Sequence, residues 1–234
     1  KLLSPSGRIF LFRLNQILPY KALQRHMYIS WRTGSWKTEL LKIIFYRLQK
    51  NSSKKRNKSL ILIDPHWDLA EEVLLFDINR NNPSRIVYVD PIAEWYKITL
   101  NPLEINWEIN ENSVTVRTEQ LVTAIDEIVG DAKLSVYMKA ILTPCISTLL
   151  LKWNATLVDL QTFMDDNRNE ELVELWTQNP IISHSHFFQN QDFFDKKYQG
   201  TKMSVKTRLQ SILNYPKFYD LIIWKSTVHL EQEI

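Results

Sequence analysis

Apolar positions along this chain follow two rhythms. Up to about residue 104, short unbroken apolar runs alternate with one helical stretch and a short helix. Gly7–Phe12 and His26–Ser30 read as strands, and so do Leu60-Ile61-Leu62-Ile63 and Ile86-Val87-Tyr88-Val89. The last two end in Asp64 and Asp90, each followed by proline, as expected of strands buried on both faces of a parallel sheet. Between them, Leu40, Leu41, Ile44, Phe45 and Leu48 recur at helical spacing, predicting a helix over Thr38–Lys50, and Leu69–Phe76 predicts a shorter one. The order is βαβαβ.

After Asn101-Pro102-Leu103 the rhythm becomes helical throughout. Arg117–Val129, Leu134–Leu151, Thr156–Met164, Glu170–Leu175, Ile181–Tyr198 and Val205–Ile223 are the expected helices. Pro144 is expected to kink or start one of them. Thr156-Leu157-Val158-Asp159 resembles a capped helix start. The expected fold class is α/β, with residues 1–111 as part of a nucleotide-binding domain, 112–223 as an all-α subdomain, and 224–234 returning toward the α/β core.

The segment joining the second strand to the first helix carries the chemistry. Trp31-Arg32-Thr33-Gly34-Ser35-Trp36-Lys37-Thr38 is a Walker A phosphate loop, G-x-x-x-x-G-K-[ST], with tryptophan in both glycine slots. Backbone N–H groups from Gly34 to Thr38, together with the helix N-terminus, would cradle phosphates. Lys37 would reach the β- and γ-phosphates, and the Thr38 hydroxyl would ligate Mg²⁺. Glu39 closes the candidate site. Asp64 is a second candidate for Mg²⁺; no glutamate follows it, and the competing reading is a turn-forming Asp-Pro.

Composition sharpens the problem of the tryptophans. The chain has 4 Gly and 8 Trp in 234 residues, where usual glycine content would give about 16. Trp67 sits in the turn Asp64-Pro65-His66-Trp67-Asp68, and Trp153 follows a helix where a terminating glycine is expected. Trp95, Trp107 and Trp224 lie beside turn-forming or charged residues, whereas Trp176 fits a helix face. One cause explains the pattern: some bacterial lineages read UGA as glycine, and standard translation writes it as tryptophan. The alternative is a glycine-poor protein whose phosphate loop has decayed.

Other features are weaker. Net charge is +3, with basic clusters at Lys54-Lys55-Arg56-Asn57-Lys58 and over Lys196, Lys197, Lys202, Lys206 and Arg208. Such patches suit an anionic partner or simply a solvated face. The lone Cys145, in an apolar setting, reads as a buried thiol. His66, His184 and His186 do not make a metal set; Asp165-Asp166 and Glu170-Glu171 read as loop and helix-start acids. Phe187, Phe188, Phe193 and Phe194 read as core. No apolar run approaches the ~20 residues of a membrane helix.

Taken together, Arg25-His26-Met27-Tyr28-Ile29, the phosphate loop, Thr38-Glu39-Leu40-Leu41-Lys42 and Leu62-Ile63-Asp64-Pro65-His66-Trp67-Asp68-Leu69 resemble the HerA–FtsK class of DNA-pumping ATPases. They most resemble the coupling proteins of type IV secretion and conjugative DNA transfer. There the corresponding turn reads D-P-H-G-D-L, so Trp67 again stands for a family glycine. Val87-Tyr88-Val89-Asp90-Pro91 and Leu100-Asn101-Pro102-Leu103-Glu104 keep the family's order, and 149–181 resembles its helical insertion. The resemblance implies a RecA-like P-loop core, ATP with Mg²⁺, a homo-hexamer, DNA as cargo and a secretion or conjugation machinery as partner. It implies a cytoplasmic location, at the inner face of the membrane in the full-length protein. The family's Walker B Asp-Glu and arginine finger would lie beyond Ile234. Two further readings stand beside it: a non-catalytic P-loop relative used for DNA binding or assembly, and a HerA-type DNA-processing motor.

Overall fold

The computed structural model describes residues 26–30, 37–52, 59–81, 83–93, 96–105 and 108–228. The chain divides into two compact units, Lys1–Tyr88 with Ile234, and Val89–Glu233. The Gly7–Phe12 strand and the loop from Trp31 to Trp36 lie outside the described residues.

The first unit contains α1 (Lys37–Ser52), α2 (Asp68–Leu74) and α3 (Asp77–Asn81). Ile43 and Ile44 form its small core, with Ile29, Leu40 and Leu48 against them. Val73 and Phe76 are also buried, and the Phe76 ring meets Tyr46 edge-on at 5.3 Å. Asn79 is buried in this unit and donates its amide to the Val73 carbonyl (2.7 Å).

The α/β expectation is corrected here. Among the described residues there is no strand and no sheet. Residues 26–30, 60–63 and 86–89 carry no helix and no ladder. Ile61 and Ile63 are 66% and 86% exposed, where a strand covered on both faces would bury them. The physical reason is that an apolar run states a wish to be buried, whereas a strand exists only when a neighbour supplies the other half of its hydrogen bonds. With that core goes the RecA-like architecture.

The second unit is helical: α4 (Glu111–Ile128), α5 (Val136–Leu149), α6 (Leu157–Phe163), α7 (Glu170–Glu174), α8 (Ile182–Gln189), α9 (Gln199–Leu213) and α10 (Pro216–Ile222). The expected helices are found, with boundaries set by caps that periodicity does not register. The Asn110 side chain accepts from Ser113 N and starts α4 earlier than the apolar pattern does. Gly130, at φ 63°, follows its end. The Thr156–Asp159 capping box is present: Asp159 accepts from Thr156 N (2.7 Å), and Thr156 Oγ1 accepts from Asp159 N (3.4 Å). The single helix expected over Ile181–Tyr198 stops at Gln189, and the left-handed Gln191 (φ 64°) lies just beyond it. That expected over Val205–Ile223 is divided at Pro216.

The α5 helix is the hub, packing against α4, α6, α7, α8 and α9. Ile141, Leu142, Cys145, Ile146 and Leu149 on it are fully enclosed, and so are Leu160 and Phe163 on α6. Pro144 lies inside α5 without ending it. Residues 99–104 run beside 225–227. The Thr227 N–H donates to the Thr99 carbonyl (3.0 Å), Ser226 N–H to Glu104 Oε2 (2.8 Å), and the Asn101 amide reaches the Ala155 carbonyl (2.7 Å). The Asn101-Pro102-Leu103-Glu104 segment therefore ties three parts of this unit together. No helix among the described residues is long and apolar enough to cross a membrane.

Candidate functional site

Helix α1 begins at Lys37, and Thr38 follows in its first turn. Both side chains belong to exposed residues. Their backbone N–H groups are among those with no partner inside the helix, at the positive end of its dipole, which suits an anion. Of the expected nucleotide-binding set, Lys37, Thr38 and Glu39 are described; Trp31, Arg32, Thr33, Gly34, Ser35 and Trp36 are not.

Glu39 is turned to another task. It pairs with Lys42 one turn on, and Lys42 also reaches Glu72 of α2. Burial pulls the Lys42 ammonium down, but the hydrogen bonds and charges of Glu39 and Glu72 outweigh it and hold it above its ordinary value. This triad joins α1 to α2 and fixes the helix that carries Lys37.

Asp64 works as a turn organiser. Its Oδ1 accepts from His66 N–H (3.1 Å), and its Oδ2 from Leu69 N–H (2.8 Å) and Ala70 N–H (3.1 Å). Burial alone would raise its carboxyl; these three donors, with His66 nearby, lower it instead. The carboxylate covers the first orphan amides of α2. Three of its roughly four lone-pair sites are taken, which leaves little for a cation. Asp90 repeats the device, accepting from Ile92 N–H (2.9 Å). Neither a hydrogen bond nor an ion pair joins Asp64 to Lys37 or Thr38 among the described residues. Thr38 is exposed, whereas Asp64 is already engaged by three backbone donors. No cluster of three or more His, Cys, Asp or Glu suited to a metal occurs among the described residues.

Most of the basic cluster of the second unit is engaged. Lys202 is 3% exposed, ion-paired with Asp166 and set over the Phe193 ring at 3.6 Å. Lys206 pairs with Asp165 (3.0 Å) and Lys197 with Asp195 (2.9 Å). Arg208 donates to the Ala132 carbonyl (3.1 Å). Lys202, Lys206 and Arg208 thereby hold loops to α9, whereas Lys196 is exposed. Lys54, Lys55, Arg56 and Lys58 lie outside the described residues.

Sequence reasoning missed a buried polar network in the second unit. Asn179 donates to Ser147 Oγ (2.8 Å) and Thr148 Oγ1 (3.0 Å), and His184 Nδ1 lies 2.8 Å from Ser147 Oγ. Burial lowers the His184 pKa and keeps the ring neutral. Ser147 donates to the Pro144 carbonyl (3.0 Å) and is fully enclosed, so the pair is structural, not nucleophilic. An open groove of about 460 Å³ beside it is lined by Val136, Ala140, Thr143, Pro144, His184 and Phe187. The Asn179-Pro180 turn was the available sequence signal. Cys145, fully buried, has its thiol pushed well up by burial, as an inert core residue does.

No family model, curated protein or solved structure matches the chain.

Proposed function

We propose that this chain is part of an ATP-driven DNA translocase, with its nucleotide phosphates held by the segment from residue 31 to Thr38. The observation that carries the reading is the start of α1 at Lys37, directly after Thr33-Gly34-Ser35-Trp36. A lysine and a hydroxyl residue thereby open a helix of 16 residues, where backbone donors and dipole favour phosphate. The DNA cargo, the hexamer and the coupling to secretion or conjugation rest on the motif resemblance. The second reading, a non-catalytic DNA-binding or assembly module, is favoured by the engagement of Asp64 in its turn and of Glu39 with Lys42.

Mg-ATP titration of the chain carrying Trp31→Gly and Trp36→Gly tests the proposal. Saturable binding is expected, weakened at least about tenfold by adding Lys37→Ala, which removes a charged hydrogen-bond donor of about 1.5–3 kcal/mol. Binding indifferent to Lys37, or none, would sink it.

A further inference from the structure

The structure separates the tryptophans that the sequence groups together. Trp67 has φ 54° and ψ −20°, in the left-handed region. There a Cβ crowds the following carbonyl, and glycine is the residue without that cost. The conformation is needed: Trp67 N–H donates to the Asp64 carbonyl (3.3 Å), and the Trp67 carbonyl accepts from Glu71 N–H (2.9 Å), starting α2. Residue 67 is 53% exposed, and its ring makes no hydrogen bond or ring contact among the described residues.

Trp176 is the opposite case. It is half-buried against the main core of the second unit, with ordinary helical surroundings. Trp153 differs again, because the left-handed residue there is its neighbour Asn154 (φ 57°), a type that tolerates this region. Gln191 holds a similar φ of 64° without being glycine, so φ by itself does not decide. Trp67 alone among these joins a left-handed backbone to a half-exposed side chain with no hydrogen bond or ring contact among the described residues, in a chain with 4 Gly and 8 Trp.

We propose that residue 67 is glycine in the protein as its source makes it, encoded by a UGA codon read as glycine, and that residue 176 is tryptophan. Extending this to residues 31 and 36 rests on the phosphate-loop reading; the assignment at 67 does not.

Tryptic peptides of the protein purified from its source cells decide the matter. The Ser59–Arg80 peptide is expected to weigh as glycine at 67, and the peptide spanning 176 as tryptophan. A tryptophan mass at 67, or a glycine mass at 176, overturns the assignment. A recombinant comparison needs no source cells. Trp67→Gly is expected to raise the thermal midpoint of the chain as written, and Trp176→Gly to lower it. A lowered midpoint with Trp67→Gly would show that the indole is anchored and would overturn the proposal. Glycine at 67 combined with no Mg-ATP binding by the chain with glycine at 31, 36 and 67 would leave this inference standing and remove the nucleotide reading. Tryptophan at 67 with such binding would do the reverse.

Discussion

The first unit keeps a two-residue buried cluster, Ile43 and Ile44, and leaves Ile61 and Ile63 in water. The second encloses a continuous core running from Leu103 to Ile222. Both contain apolar runs of similar strength. The difference lies in where their hydrogen bonds go. A helix pairs its backbone within itself, so an apolar face needs nothing but another face. A strand needs a particular partner, and the described part of the first unit provides none. Apolar sequence is thus turned into core in one region and left exposed in the other.

The sharpest way to break this comparison is to cut both kinds of apolar residue. Phe163→Ala, at a site with no exposure, is expected to cost about 3–5 kcal/mol of second-unit stability. Ile61→Ala, 66% exposed, is expected to stay within about 0.5 kcal/mol. Chemical denaturation of both variants measures this, and equal losses would mean that residue 61 is buried after all.

Next in size is the Lys202–Asp166 pair. Asp166→Ala leaves a 3%-exposed ammonium with the Phe193 and Phe194 rings but no counter-charge in its place. A loss of about 3 kcal/mol is expected. Lys202→Met in the same background should recover much of it, since the stem and the ring contact survive. No recovery would show that Asp166 acts by another route.

The smallest effect expected is a pH response confined to the second unit. Burial lowers the folded pKa of His184 below its unfolded value near ~6.5. The unfolded chain then binds the proton first. The stabilisation is present above about pH 6.5 and is lost as pH falls through the folded pKa. The thermal midpoint should therefore decline on acidification through this window, and His184→Gln should flatten the decline. An unchanged slope would show that other groups set it.

Much of the second unit was legible. The periodicity of α4, α5 and α9, the Thr156–Asp159 cap and the buried Cys145 follow from side-chain spacing and polarity alone. Sequence alone assigns Glu39 and Asp64 to a phosphate site and carries no sign of the engagements the structure shows for them. That Lys42 takes both Glu39 and Glu72 depends on how α1 meets α2, whereas the amides Asp64 covers are set within its own turn. The breaks at Gln191 and Pro216 show the same limit from the other side: apolar periodicity runs through both positions and registers neither.

The sequence by itself determined the helical character of 117–223, the helix that follows the phosphate-loop motif and the excess of tryptophan at turn positions, because each depends on neighbours a few positions away. The tertiary structure decided that the apolar runs at 60–63 and 86–89 make no sheet among the described residues. It also decided that Lys202 and Lys206 pair with Asp166 and Asp165, and that Asn179 and His184 converge on Ser147. Those outcomes depend on partners some 30 or more residues distant, and local spacing carries no record of which distant group will arrive.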